Sequence, residues 1–310
     1  MPRVFVYGTL RRHEPNAFRL NEAVWLARQA WVSGRLYDTG CGYPALVLDV
    51  RSVRSSASSH TGRVYGELVE VSEKALAALD ALEGYAEGRR DNHYDRVSVC
   101  VHTDTGETEA FAYVYPEERA TGLKPIAFGD WKVYRHLPDP TKEASAGSAT
   151  DRQADGSDTW LYFAYGSCMD DRRFETDGVR ELFRDVVGRG VLRGHTLAFT
   201  RRSQADGMGR ADIVETGAPH DVVEGKVYRI GRQALRYLYD REGVRGGAYR
   251  PTFVDLEIGG ETVTDVITFT VVEKGPETPP PPHYAEEILR GARGFVSEKY
   301  YEFLLNKCRI

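Results

Sequence analysis

One short pattern occurs twice in this chain, and it constrains the fold more than any other feature. Val4-Phe5-Val6-Tyr7-Gly8-Thr9-Leu10 opens the sequence, and Leu161-Tyr162-Phe163-Ala164-Tyr165-Gly166-Ser167-Cys168 follows 158 residues later, counted from Tyr7 to Tyr165 (165 − 7). Each is an apolar, aromatic run that reads as a buried strand, broken by Gly and then by a hydroxyl residue. Glycine lets the backbone turn sharply and lets another group approach it closely. A strand ending in such a turn leaves amide N–H groups free to meet an anion or a developing oxyanion.

Other features repeat in the same register. Ala75-Leu76, Leu79 and Glu83-Gly84 correspond to Ala234-Leu235, Leu238 and Glu242-Gly243, an offset of 242 − 83 = 159. Tyr94 corresponds to Tyr249, an offset of 249 − 94 = 155, so the loop after the second helix is about four residues shorter. Three features keeping nearly one offset point to an internal duplication. With 310 residues, two domains are expected: 1–137 and 160–310. Residues 138–159, rich in Pro, Ser, Ala, Gly, Asp and Lys, read as a linker.

Along the first repeat, Asn21–Trp31 reads as a short helix or helical turn, and Trp31–Tyr37 as a strand. A Gly-rich turn at Gly40–Pro44 precedes a strand at Ala45–Val50, and the serine-rich segment Arg51–Thr61 reads as an exposed loop. Val64–Val71 alternates as a strand. Ser72 caps a helix that Gly84 closes. Tyr94–His102 and Thr108–Tyr115 pair as strands. The second repeat shows strands ending near Thr200, at Ala211–Glu215 and around Val223–Ile230, a helix Arg232–Glu242, and strands Tyr249–Ile258 and Thr262–Val272. A proline run, Pro279 through Pro282, reads as a stiff connector rather than a docking ligand. Two C-terminal helices follow, Tyr284–Ala292 and Val296–Leu305.

Composition excludes several classes. A net charge of −5 argues against nucleic-acid or membrane-surface binding as the main role. Four scattered cysteines and eight histidines without metal-like spacing imply no metal site, and free thiols fit a reducing cytosol. No window approaches the ~18 apolar residues of a membrane span. No basic leader precedes the first strand, so a cytoplasmic location is expected.

The candidates for chemistry are Glu83 and Glu242, each at the C-terminal end of an apolar helix, where the helix dipole disfavours a carboxylate. Like-charge repulsion and partial burial would raise the carboxyl pKa towards neutrality, which suits a group that takes and returns a proton.

Together, Tyr-Gly-Thr-Leu or Tyr-Gly-Ser, the Leu-rich helix ending Glu-Gly and the following Tyr resemble the γ-glutamylcyclotransferase-like superfamily. The first domain, including Gly42-Tyr43-Pro44-Ala45-Leu46, resembles its short, AIG2-like or γ-glutamylamine cyclotransferase branch. The second resembles the longer γ-glutamylcyclotransferase branch, including Pro279–Tyr284 before a C-terminal helix. The resemblance implies an α+β fold of two tandem domains, each a small mixed β-barrel flanked by helices. It also implies a cytoplasmic enzyme without metal or organic cofactor, acting on a small γ-glutamyl substrate and releasing 5-oxoproline. Glu83 and Glu242 become the acid/base residues. The turns Gly8-Thr9-Leu10 and Gly166-Ser167-Cys168 become oxyanion donors, and Tyr7, Tyr94, Tyr165 and Tyr249 become pocket tyrosines. Cys168 stands where the longer branch usually has Asn, removing a side-chain amide; a thiol there is also a minor nucleophile candidate. The alternatives are one or two non-catalytic binding modules for a γ-glutamyl or amino-acid ligand, or a second domain that only stabilises the first.

Overall fold

A computed structural model describes residues 1–49, 62–139 and 158–308. It divides into two compact units, Met1–Leu137 and Pro138–Ile310. The expected loop Arg51–Thr61 and most of the expected linker (140–157) lie outside the described residues.

The first unit runs β1 (Arg3–Val6), β2 (Val24–Asp38), β3 (Pro44–Leu48), β4 (Arg63–Glu70), α1 (Glu73–Leu82), β5 (Asp95–Thr103), β6 (Gly106–Val114), β7 (Lys124–Pro125) and α2 (Trp131–His136). Strands β2-β4-β1-β6-β5 pair in that order, and β2 closes the ring onto β5 through Ala30–Thr103 and Trp31–His102. All the pairings are antiparallel except β1–β6, which meet in parallel at Val4 and Phe111. Alternate residues of β1 serve two cores, as a period of two dictates. Phe5 packs with Ala30, Leu68, Val101 and Ala112, whereas Val4 and Val6 pack with Leu76 and Leu79 of α1. Ser72 Oγ accepts from the Ala75 N–H at 3.2 Å, as a helix N-cap does.

The expected helix at Asn21–Trp31 is not formed. A 3-10 turn at Ala17–Leu20 precedes β2, whose fifteen residues begin at Val24. The segment Val24–Ala30 is rich in Ala, Leu, Arg and Gln, and register shifts between Trp25 and Ala27 and between Ala27 and Ala30 break its alternation. Bulges of this kind blur the two-residue period, and pairing with β4 overrides helix propensity.

The second unit runs β8 (Thr159–Ala164), α3 (Asp171–Thr176), β9 (Val186–Arg193), β10 (His195–Arg202), β11 (Gly209–Glu215), β12 (Val222–Gly231), α4 (Arg232–Arg241), β13 (Tyr249–Ile258), β14 (Glu261–Val271), α5 (Pro282–Ala292) and α6 (Glu298–Lys307). Strand β8 begins at Thr159, the last residue of the expected linker. Strands β12-β8-β14-β13-β9 form a second closed barrel, again with one parallel pair, β8–β14 at Tyr162 and Ile267. The path that β2 follows as one strand is divided here at Gly194 (φ +72°), so β10 leaves the barrel and pairs with β11. Both barrels need a glycine beneath the first strand. A Cβ on Gly66 would lie 2.3 Å from Val6 O, and one on Gly225 would lie 2.2 Å from Ala164 O. No helix among the described residues is long and apolar enough to cross a membrane.

Candidate active site

In each unit the strand that opens the barrel ends at a signature turn, and the helix after the third barrel strand in chain order ends beside it. Glu83 is the C-cap of α1 and Glu242 the C-cap of α4. Gly84 and Gly243 follow with φ of +65° and +62°, which let the chain reverse out of the helix. The helix ends thereby hold both carboxylates, half-buried, at cavity walls.

The first cavity, about 220 Å³, is lined by Tyr7, Gly8, Thr9, Leu10, Asn16, Tyr43, Pro44, Glu83, His93 and Tyr94, among others. Every residue expected at the first site therefore lies on one surface. Among the described residues, the N–H groups of Gly8, Thr9 and Leu10 have no acceptor within the chain. Asn16 fixes the turn by donating from Nδ2 to Thr9 Oγ1 at 3.0 Å and from its own N–H to Thr9 O at 2.9 Å. Desolvation pushes the Glu83 carboxyl up to about 7. The expected like-charge contribution is not found, and burial alone accounts for the rise.

The tyrosines use their hydroxyl protons on the backbone. Tyr7 donates to Tyr113 O at 2.6 Å and Tyr94 to Pro44 O at 2.8 Å. In the second unit Tyr165 donates to Phe269 O and Tyr249 to Ala211 O, both at 2.7 Å. With the proton so engaged, each phenol presents lone pairs, and burial raises all four pKa values. These side chains can accept from a ligand ammonium but are poor proton donors to it.

The second cavity, about 290 Å³, gathers Tyr165, Gly166, Ser167, Cys168, Glu242 and Tyr249. It also contains residues the sequence reading had not placed at a site: Arg201, Arg210, Arg241, and His283, Tyr284 and Glu287 of α5. Cys168 Sγ lies 3.7 Å from Glu242 Oε1 and accepts from Arg241 Nε at 3.3 Å, while Arg241 also donates to Ser167 Oγ at 3.1 Å. Burial raises the Glu242 carboxyl; Arg241, the Cys168 thiol and Arg201 oppose that rise. Burial also pushes the Cys168 thiol up, which corrects the reading of this cysteine as a low-pKa nucleophile.

An Arg–Asp pair ties each turn to a later helix of its own unit. Arg11, 3% exposed, donates to Asp130 Oδ1 at 2.7 Å and to Glu67 Oε1 at 3.2 Å, and Asp130 is the N-cap of α2. In the second unit the charges are exchanged: Asp170 accepts from Arg290 of α5 at 2.9 Å. A Cβ on Gly291 would lie 2.5 Å from Asp170 N, so only glycine lets α5 approach so closely. Cross-strand proximity also gathers Cys100, His102 and Glu107 within 4.8 Å, outside the lining of either pocket and invisible to metal-ligand spacing.

Comparison with known proteins follows the same division. Residues 4–133 match a family model described as gamma-glutamyl cyclotransferase, AIG2-like, and residues 222–304 match one described as AIG2-like family. YkqA of Bacillus subtilis (strain 168) is 38% identical over 97% of this chain and 95% of its own length. The crystal structure of YkqA superposes with a TM-score of 0.78 at 36% identity, covering 99% of this chain and 97% of that one. The gamma-L-glutamyl-butirosin B gamma-glutamyl cyclotransferase of Niallia circulans is 39% identical over 136 residues, 44% of this chain and 78% of its own. A duplicated barrel, a duplicated carboxylate at a duplicated turn and this full-length similarity lead to one assignment: the chain belongs to the γ-glutamylcyclotransferase family, with two AIG2-like domains in tandem.

Proposed function

We propose that the protein is a γ-glutamyl cyclotransferase that releases 5-oxoproline from γ-glutamyl amines, amino acids or peptides. The observation that carries this is a desolvated carboxylate facing amide donors across a cavity, once per domain. The α-ammonium of the γ-glutamyl group gives a proton to Glu83 or Glu242. The freed amine attacks its own γ-carbonyl, closing a five-membered ring. Negative charge then develops on the carbonyl oxygen and is met by the N–H groups of Gly8-Thr9-Leu10 or Gly166-Ser167-Cys168. The same carboxylic acid gives its proton to the leaving nitrogen, and the carboxylate so regenerated takes the second proton from the ring nitrogen; the oxyanion collapses, the C–N bond breaks, and 5-oxoproline departs with the released amine, which carries that last proton away as its ammonium. Because nucleophile and electrophile belong to one molecule, holding it folded in the cavity removes much of the barrier. The tyrosine lone pairs suit the ammonium before it is deprotonated. Nothing in this sequence of proton transfers calls for a cofactor.

Incubation with γ-glutamyl amino acids and amines, followed by assay of 5-oxoproline, tests the proposal. Turnover that vanishes in the Glu83→Gln/Glu242→Gln chain supports it, and turnover that survives the double substitution rejects the roles given to both acids. In the second domain, Arg241 and the Cys168 thiol beside Glu242 favour a different reading, in which that pocket holds a ligand without converting it. Saturable binding without product in the Glu83→Gln chain would establish this.

A further inference from the structure

The two pockets share an acid, a turn and a pair of tyrosines, but they differ in charge. Apart from Glu83 and His93, uncharged side chains line the first. The second presents four arginines against two glutamates. Three of these arginines have carboxylate partners. Arg173 faces Asp177 at 3.5 Å and Glu287 at 3.9 Å, Arg210 pairs with Asp206 at 2.7 Å, and Arg241 lies 3.5 Å from Asp177.

Arg201 differs from them. Among the described residues it has no carboxylate within ion-pair distance, and its guanidinium lies over the ring of Tyr249, 5.5 Å from the centroid. Stacking on an aromatic face leaves the in-plane N–H donors of a guanidinium available for a planar carboxylate. The side chain is half-buried on the cavity wall and feels the Glu242 carboxylate only at a distance, beyond ion-pair contact. Its neighbour in the strand pairing, Arg210, precedes Ala211, whereas Tyr43 precedes Pro44 in the first unit. Ala211 and Pro44 are equivalent by two measures: each accepts from a pocket tyrosine, and each is met first by a Cβ built on the signature glycine. The local exchange of Tyr43 for Arg210 thus adds a cation beside Arg201 that the first pocket lacks.

The glutamyl head of a substrate is common to both pockets, and the first pocket must hold it, α-carboxylate included, without any arginine. The cations of the second pocket are therefore surplus to the head and face the part of the substrate that varies. We propose that Arg201 is a specificity-determining residue that binds a carboxylate on the departing amine. On this assignment the second pocket takes γ-glutamyl amino acids and peptides, and the first takes γ-glutamyl amines that lack an anionic group there. This rests on the cyclotransferase reading for turnover, but not for recognition.

Glutaryl-alanine and glutaryl-alaninamide separate the two. Both lack the α-amine and cannot cyclise, and they differ only in the terminal carboxylate. Calorimetric titration of the full-length protein is expected to show the acid binding roughly tenfold to hundredfold more tightly than the amide, the range for a charged hydrogen-bond pair. Arg201→Gln should erase that preference and Arg201→Glu should reverse it, with thermal melts confirming that both variants fold. A preference that persists in both variants overturns the assignment. If γ-glutamyl-alanine is not turned over but the binding preference depends on Arg201, the cyclotransferase reading fails for the second pocket and the recognition stands. If turnover occurs and Arg201→Gln leaves the acid preference intact, recognition fails and the cyclotransferase reading stands.

Discussion

Glu242 Oε1 lies 3.7 Å from Cys168 Sγ, so the residue that ends the second signature turn touches the carboxylate at the end of α4. Among the described residues Glu83 has no such contact: its rise comes from burial alone, whereas a thiol and two guanidinium groups oppose that of Glu242. The two domains therefore hold the same acid in different electrostatic settings.

The first setting has a kinetic consequence. In the Glu242→Gln chain only the first site turns over, and its kcat/KM should rise with pH through about 7 as Glu83 loses its proton. Below that value the rate should fall about tenfold per pH unit. A pH profile with γ-glutamyl amines checks this, and an acid limb centred near the ordinary carboxylate range would contradict the role of Glu83.

Stability should move in the opposite sense. A carboxyl whose folded pKa exceeds its unfolded value favours the fold most when protonated. Its contribution is therefore full below pH 4.5 and lost as pH rises through about 7. Removing the charge by Glu83→Gln is expected to stabilise the protein at pH 8 by at most about 3 kcal/mol, with no gain at pH 4. Denaturant melts at the two pH values measure the difference. A variant that is inactive yet more stable at pH 8 separates loss of chemistry from loss of fold.

In the second domain, Arg241→Gln removes the guanidinium that holds the Glu242 carboxyl down. The acid limb of the second site, measured in the Glu83→Gln chain, should shift to higher pH. Cys168→Ala should shift it the same way by a smaller amount, because the thiol also favours the carboxylate form. An unchanged limb in both variants would show that neither group faces Glu242 during turnover.

Arg11 makes a structural prediction. It is buried with Glu67 and Asp130, which are 5% and 2% exposed, and Arg11→Met leaves both carboxylates without this partner. A loss of about 3–5 kcal/mol is expected, read as a lowered denaturation midpoint. Adding Glu67→Gln and Asp130→Asn should recover much of it, since the cost lies in the stranded charges rather than the missing contact.

Close approach makes another. Gly225→Ala would place a Cβ 2.2 Å from Ala164 O, against backbone that has no rotamer to change. A loss of about 1–3 kcal/mol or more is expected from the overpacking, seen in thermal melts. Gly231→Ala is the control, because a Cβ there meets nothing within 4 Å.

The sequence by itself determined the repeat, the order of strands around α1 and α4, and the placement of Glu83 and Glu242 at helix ends. These rest on short-range patterns: a period of two in strands, a spacing of three, one helical turn, in Leu76-Leu79 and Leu235-Leu238, and glycines that must stop a helix. It misread Asn21–Trp31, where bulges scrambled the period and long-range pairing with β4 won. It also missed the arginines of the second pocket, Asn16 beside the first turn, and the Arg11–Asp130 and Asp170–Arg290 braces. Only the tertiary structure decided those, because Arg201, Arg241 and α5 are distant in sequence and meet only once the barrel closes. A guanidinium carries no local pattern that says which carboxylate, ring or empty cavity wall it will face. The charge difference between two otherwise matching pockets is thus a property of packing, written in residues that look in the sequence like ordinary surface arginines.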